Sequence, residues 1–214
     1  MPEPALRLRC EDEARDALLA AARDLAAAGI PGPASLSLRW ARSAAAGMLT
    51  VRAPVAAAST ADAVAWVPLD ARLDRPGMAS PGLPADWELH RELLGRRSRL
   101  EAVVRCRPVF CMTLACSPRF GAIGIPSFHA DAAAAEAARI RCAQPAGQDA
   151  AALAVQVDEA LGERAACLLA GEGLVAVGPT IDAAVMTVAS VETLAQVAWR
   201  LREAQHREPD GVAA

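Results

Sequence analysis

The chain has 214 residues, 54% of them hydrophobic and 22% charged, with a formal net charge of −3. That is enough apolar material to bury the core of one large domain, and it places the chain well outside the disordered class. With no basic run and only three Phe, four Trp and no Tyr, the sequence offers neither a track nor a stacking platform for nucleic acid.

Two further absences constrain the chemistry. There is no Lys, all 22 basic residues being Arg, so no Schiff base to a carbonyl substrate or to pyridoxal phosphate can form. There is no Tyr to donate a phenolic proton. The six cysteines form no C-x-x-C pair and read as reduced, mostly buried thiols. Residues 1–13 lack an apolar h-region, and the weakly charged stretch 53–69 is broken by Pro54, Asp62 and Pro68. The expectation is a cytoplasmic protein with no signal peptide and no membrane partner.

In chain order, Glu11 to Ala28 carries Ala and Leu at helical spacing, and Gly29 and Pro31 stop that helix. Leu36, Leu38 and Trp40 alternate with Ser35, Ser37 and Arg39, the pattern of a half-buried strand. Met48 to Arg52 and Ala63 to Pro68 read as two more strands, and Arg72 to Pro84, rich in Pro and Gly, as a loop. Asp86 stands as N-cap of a helix through Arg96, and Ala102 to Val104 is a short strand. Pro108 opens a helix to Cys116, and Asp131 caps another to Arg141. Gln148 to Leu161 is an amphipathic helix with Leu153, Val157 and Leu161 on one face. Ala166 to Leu169 and Leu174 to Val177 are strands around a Gly-rich turn. Thr180 caps a final helix to Gln205, with Asp182 placed for its dipole. The layout is α/β: a single domain over residues 1–206, with a sheet covered on both faces, and a loose tail at 207–214.

From Leu83 onward the residues resemble the class II aldolase/adducin family. Leu83-Pro84-Ala85-Asp86-Trp87-Glu88-Leu89-His90 stands where that family has a Pro-Ser-Ser-Glu segment and a helix. Glu101-Ala102-Val103-Val104-Arg105-Cys106-Arg107 stands where it has a strand ending in His-x-His. Ala166 to Val175 takes the place of apolar residues running into His-Gly, and Ser190 to Gln196 that of a Leu-Glu-x-x-Ala helix. The resemblance implies a three-layer α/β/α sandwich around a mixed, mainly antiparallel sheet.

It also shows what has changed. The family's three metal-binding His fall on Arg105, Arg107 and Glu172. Arginine carries no lone pair to offer a metal, so the resemblance here implies neither a metal nor any other cofactor. The family's catalytic Glu falls on Asp86, one methylene shorter and beside a one-residue deletion. The phosphate-cradling turns read Ala34-Ser35, Val51-Arg52-Ala53-Pro54 and Pro84-Ala85 in place of Gly-Asn, Thr-Pro-Ser-Gly and Ser-Ser.

The expectation is therefore an ion-pair cluster of Arg105, Glu172 and Arg107 that cross-links these strand ends in the metal's place, with the alternative that one arginine stays free to grip a small carboxylate or phosphate. Functionally the resemblance implies a non-catalytic or repurposed member, with adducin as precedent for a metal-free domain serving in assembly. The alternative is a metal-independent lyase, isomerase or decarboxylase in which Asp86 moves the proton and an arginine steadies the enolate. The family's site lies between subunits of a cyclic oligomer, which implies a tetramer-like homo-oligomer, with Val197 and Trp199 as candidate contacts.

Competing motifs are weaker. Gly171-Glu172-Gly173 with Ala176 mimics a dinucleotide fingerprint, but Leu174 to Val177 reads as a strand where that motif needs a helix. Cys106 lies between two arginines, yet strand alternation turns it to the opposite layer. His90, one turn after Asp86, reads as structural; His129 falls in a loop and His206 at the end of the last helix.

Overall fold

Apolar residues of this chain collect into two separate cores, one on each face of a single sheet. The computed structural model describes residues 8, 10–30, 32–42, 45–56, 60–70, 83–128, 138–145, 147 and 149–207. Its strands are β1 (Ala34–Arg39), β2 (Gly47–Ala53), β3 (Ala65–Pro68), β4 (Ala102–Cys106), β5 (Cys142–Ala143), β6 (Ala166–Leu169) and β7 (Gly173–Gly178). Its helices are α1 (Glu11–Ala27), α2 (Trp87–Arg96), α3 (Val109–Ala115), α4 (Pro118–Ile123), α5 (Ala150–Leu161) and α6 (Ile181–Arg207). Among the described residues the strands make one sheet in the order β3-β2-β1-β4-β7-β6-β5. Every pairing is antiparallel except β5 with β6. Helices α1, α3 and α6 pack together on one face, and α2 packs with α5 on the other. The fold is the mixed, mainly antiparallel α/β/α sandwich.

Period-2 alternation decides which core each strand residue joins. Leu36, Leu38, Leu49, Val51, Val104, Cys106, Leu174 and Ala176 face α1, α3 and α6. Met48, Val67, Val103, Val175 and Val177 face α2 and α5. The last helix contributes Ile181, Ala184, Val188, Val191, Ala195 and Ala198 to the first core. By length and composition alone α6 would pass for a membrane span. The buried stripe packs on β4 and β7 and takes up 33% of that apolar stretch.

Several elements differ from the sequence reading. Strand β1 is buried on both faces, Ser35 and Ser37 being 2% and 0% exposed, because α2 covers its polar side. Strand β4 continues through Cys106, so Arg105 lies inside the sheet. The residues of 60–68 begin with a 3-10 turn at Ala61–Ala63 before β3. The expected helix from Asp131 falls largely outside the described residues, but its expected end is not helical. Ile140 makes a β-bridge with Ile125, and Cys142–Ala143 is a strand, because Arg139, Ile140 and Arg141 alternate at period 2 with Ile140 buried. Gly124 permits that bridge: at φ +73° a Cβ there would meet the Ile140 carbonyl oxygen. Helix α4 and strand β5 were not anticipated. The 72–84 loop, all but Leu83 and Pro84, and the tail, all but Arg207 at the end of α6, lie outside the described residues.

Thr180 caps α6 as its sequence suggests, its Oγ1 accepting from the Ala183 N–H at 3.1 Å. Asp86 does not cap. It stands at the N-cap position of α2, yet its side chain makes no capping hydrogen bond and turns toward the sheet.

Candidate functional site

The site begins in the register of three strands. Ser35 on β1 pairs with Arg52 on β2 and with Arg105 on β4. Side chains directly opposite one another across a sheet share a face. Arg52, Ser35 and Arg105 therefore form one row across the sheet, on the face covered by α2. Where α2 begins, Asp86 completes the row, its Oδ2 accepting from the Ser35 hydroxyl at 2.6 Å and from Arg105 Nη1 at 2.7 Å. Arg105 Nη2 donates to Glu172 Oε2 in the turn before β7.

Arg105 is thus the bridge between two carboxylates, with its side chain 16% exposed against 18% for Asp86 and 40% for Glu172. Its Nε is buried without a hydrogen-bond partner among the described residues. Arg107, the other arginine expected in the cluster, makes no ion pair or hydrogen bond among the described residues, so Asp86 holds the place expected for it. Arg107 follows β4 directly, and its backbone and stem pack where a Cβ on Gly173 would fall.

Behind Asp86 lies a chain of polar groups. His90, one turn along α2, is fully buried, with Nε2 3.1 Å from Ser35 Oγ and Nδ1 2.8 Å from Ser37 Oγ. Ser37 Oγ lies 2.9 Å from Thr50 Oγ1, and Thr50 Oγ1 lies 3.2 Å from the Leu36 carbonyl. Every buried polar side chain of β1 and β2 on this face is therefore satisfied, as burial requires.

Burial alone would raise the Asp86 carboxyl. The charge that a protonated His90 would carry, the Ser35 hydroxyl and the Arg105 guanidinium oppose it, and the balance lies below the ordinary value of 3.8. Burial pushes the His90 imidazole down, assisted by the Arg105 charge and opposed by Asp86. Cys106, 1% exposed in the opposite core, has its thiol driven far up by burial and by Glu192, with Arg105 opposing only weakly. A thiol so placed is not a nucleophile at neutral pH.

A pocket of about 200 Å³ opens over this row, lined by Ala34, Ser35, Arg52, Pro84, Ala85, Asp86, Arg105 and Arg107 among others. Arg52 and Arg107 carry no partner among the described residues. Three guanidiniums (Arg52, Arg105, Arg107) meet two carboxylates (Asp86, Glu172), so the site carries one net positive charge. Sequence reasoning found Asp86, Arg105, Arg107 and Glu172, which converge here. It noted Arg52 only as a lost loop residue and His90 only as a structural one. Counting alternation from Ser35 along β1 and β2 would have placed Arg52, Ser37 and Thr50 on the same face.

Donor chemistry decides whether a zinc ion fits. Two of the three residues that the resemblance sets against the family's His are the arginines Arg105 and Arg107, and Arg105 is already bonded to both neighbouring carboxylates. No group of three or more His, Cys, Asp or Glu suited to a metal occurs among the described residues. These residues do not fit a metal of the family's kind.

The family profile described as "Class II Aldolase and Adducin N-terminal domain" matches residues 18–199. A 5-methylthioribulose-1-phosphate/5-deoxyribulose-1-phosphate aldolase of Rhodospirillum rubrum is 36% identical over 116 residues, which are 54% of this chain and 51% of that protein. The match thus spans about half the length of that curated relative. Among solved structures, an L-fuculose-1-phosphate aldolase from Thermus thermophilus superposes with TM-score 0.66 at 26% identity, covering 94% of this chain and 100% of the other. A sugar-phosphate aldolase from Thermotoga maritima gives 0.66 at 16% identity, covering 92% and 97%.

Proposed function

Because the chain belongs to the class II aldolase and adducin family, we propose that it is a repurposed, non-catalytic member whose pocket holds a small hydroxylated anion without a metal. The observation that carries this reading is the double pairing of Arg105. A guanidinium bonded to both Asp86 and Glu172 ties the start of α2 and the turn before β7 to strand β4, the cross-linking part a bound metal would otherwise play. A carboxyl held below its ordinary value is also a poor proton shuttle at neutral pH, where an effective acid/base needs a value near the working pH.

The unpartnered guanidiniums of Arg52 and Arg107 give the pocket its affinity for a carboxylate or phosphate, since a planar fork suits such anions. Among the described residues Asp86 accepts its hydrogen bonds on Oδ2, and Oδ1 is the oxygen offered to a ligand hydroxyl. Calorimetric titration with inorganic phosphate and with glycolate tests this. Arg52→Ala or Arg107→Ala is expected to weaken binding about 10- to 100-fold, the effect of one lost hydrogen bond to a charged group. Absence of binding by the parent protein at low salt would sink the proposal.

One observation favours a second reading, a metal-independent lyase, isomerase or decarboxylase: the candidate acid/base Asp86 lines an open pocket. Incubating the protein with dihydroxyacetone phosphate in heavy water, with chelator present, separates the two. Exchange of the α-protons above the buffer rate, abolished by Asp86→Asn, would establish the second; no exchange supports the first.

We also propose a cytoplasmic, tetramer-like homo-oligomer. Met186, Val197 and Leu201, all exposed on α6, support a contact there, whereas Trp199 packs partly against the core. Light scattering in solution is expected to return a mass above that of one chain, and a monomer would refute this part.

A further inference from the structure

The buried side of the site carries a directionality that its outer side does not reveal. Each hydroxyl in the chain Thr50, Ser37, Ser35 owns one proton, and a neutral imidazole owns one. Ser35 Oγ lies 2.6 Å from Asp86 Oδ2, whose pairing with Arg105 requires the ionised form, so this contact takes the Ser35 proton. His90 Nε2, 3.1 Å from the same oxygen, must then be the donor to it. Nδ1 is left bare and must accept from Ser37 at 2.8 Å. The Ser37–Thr50 contact at 2.9 Å can be read with either hydroxyl donating, and here Thr50 donates to Ser37, releasing its longer 3.2 Å contact with the Leu36 carbonyl.

The opposite polarity fails at one point. With Thr50 donating to Leu36, Ser37 to Thr50 and Nδ1–H to Ser37, both Nε2 and Asp86 would need the single proton of Ser35. A doubly protonated ring would satisfy the geometry. However, His90 is fully buried, and of the charged groups facing it, Arg105 opposes a second proton while Asp86 favours it. Burial decides for the neutral ring.

We infer that His90 is a positioning residue, fixed as the neutral Nε2–H tautomer, and that Thr50, Ser37, His90 and Ser35 form a one-way hydrogen-bond chain ending on Asp86. Because the chain ends in a donor, it favours the ionised form of Asp86, the stronger acceptor, over the neutral acid. The network thereby biases Asp86 toward the carboxylate that orients Arg105. This holds whether or not the pocket takes an anion.

The test uses the full chain. His129→Gln with His206→Gln leaves His90 as the only histidine, with its network untouched. Long-range ¹H–¹⁵N correlation of the labelled ring between about pH 6 and 8 is expected to show Nε2 protonated and Nδ1 bare throughout. An Nδ1–H tautomer or an imidazolium in that range overturns the inference. In the same background, Ser35→Ala is expected to raise the Asp86 titration midpoint, read from its ¹³Cγ shift, by about 1–2 units, the equivalent of one charge-assisted hydrogen bond. An unmoved midpoint would show that the chain packs against Asp86 without controlling it.

Discussion

Replacing Arg105 with Met is expected to lower folding stability by about 3 kcal/mol, near the low end for breaking a buried ion pair. The variant keeps the apolar stem but leaves the carboxylates of Asp86 and Glu172 without their common cation. The effect stays near the low end because Glu172 is 40% exposed and water screens its share. In a domain of this length the loss corresponds to a fall in Tm of roughly 6–12 °C. Denaturant unfolding with a double-mutant cycle apportions it, and coupling of Arg105 to Asp86 should exceed coupling to Glu172. The deficit also depends on pH. Asp86 has a depressed folded-state value, so its contribution is fully present above 3.8 and is lost as pH falls through that lower folded value. The difference between parent and variant should therefore shrink in strong acid. A deficit under about 0.5 kcal/mol at neutral pH, the range of an ordinary surface change, would mean that the pairs contribute nothing.

The second large effect is a gain. Arg105→His, Arg107→His and Glu172→His made together are expected to give a protein that retains about one zinc ion per chain, the load of a three-ligand site. The parent chain should retain essentially none under the same dialysis, judged by mass spectrometry of the untagged protein. The expectation rests on placement. Arg105 and Glu172 already touch, and Arg107 packs beside Gly173, the residue after Glu172. Three neutral imidazoles at these positions would supply lone pairs where the parent supplies two cations and an anion. Zinc in the parent at similar occupancy would show that other residues build a metal site. No zinc in the triple variant would show that these three positions do not converge as the family resemblance implies.

How far the sequence carried this reading differs from element to element. The helices α1, α2 and α5 and the strands β6 and β7 were legible because their apolar spacing matches one period over a full element. The short pieces were not. Strand β5 has two residues, and α4 six, too few for any period to show. The alternation Arg139-Ile140-Arg141 was hidden inside an expected helix running on from an Ala-rich stretch, where composition outweighed pattern.

The same division holds at the site. Sequence by itself determined which chemistry is ruled out, there being no lysine and no tyrosine, a consequence of side-chain identity alone; the family resemblance added the expectation of arginines in place of two metal-binding histidines. It also named Asp86, Arg105, Arg107 and Glu172. Only the tertiary structure decided who pairs with whom. Sheet register set Arg52, Ser35 and Arg105 in one row, and the entry of α2 delivered Asp86, in place of Arg107, to the Arg105 guanidinium. The burial of Ser37, Thr50 and His90 was likewise invisible in the chain, since a strand reading polar on one face looks solvent-exposed until a helix covers it. The physical reason is that identity is local, whereas pairing and burial are set by strand neighbours and covering helices distant along the chain.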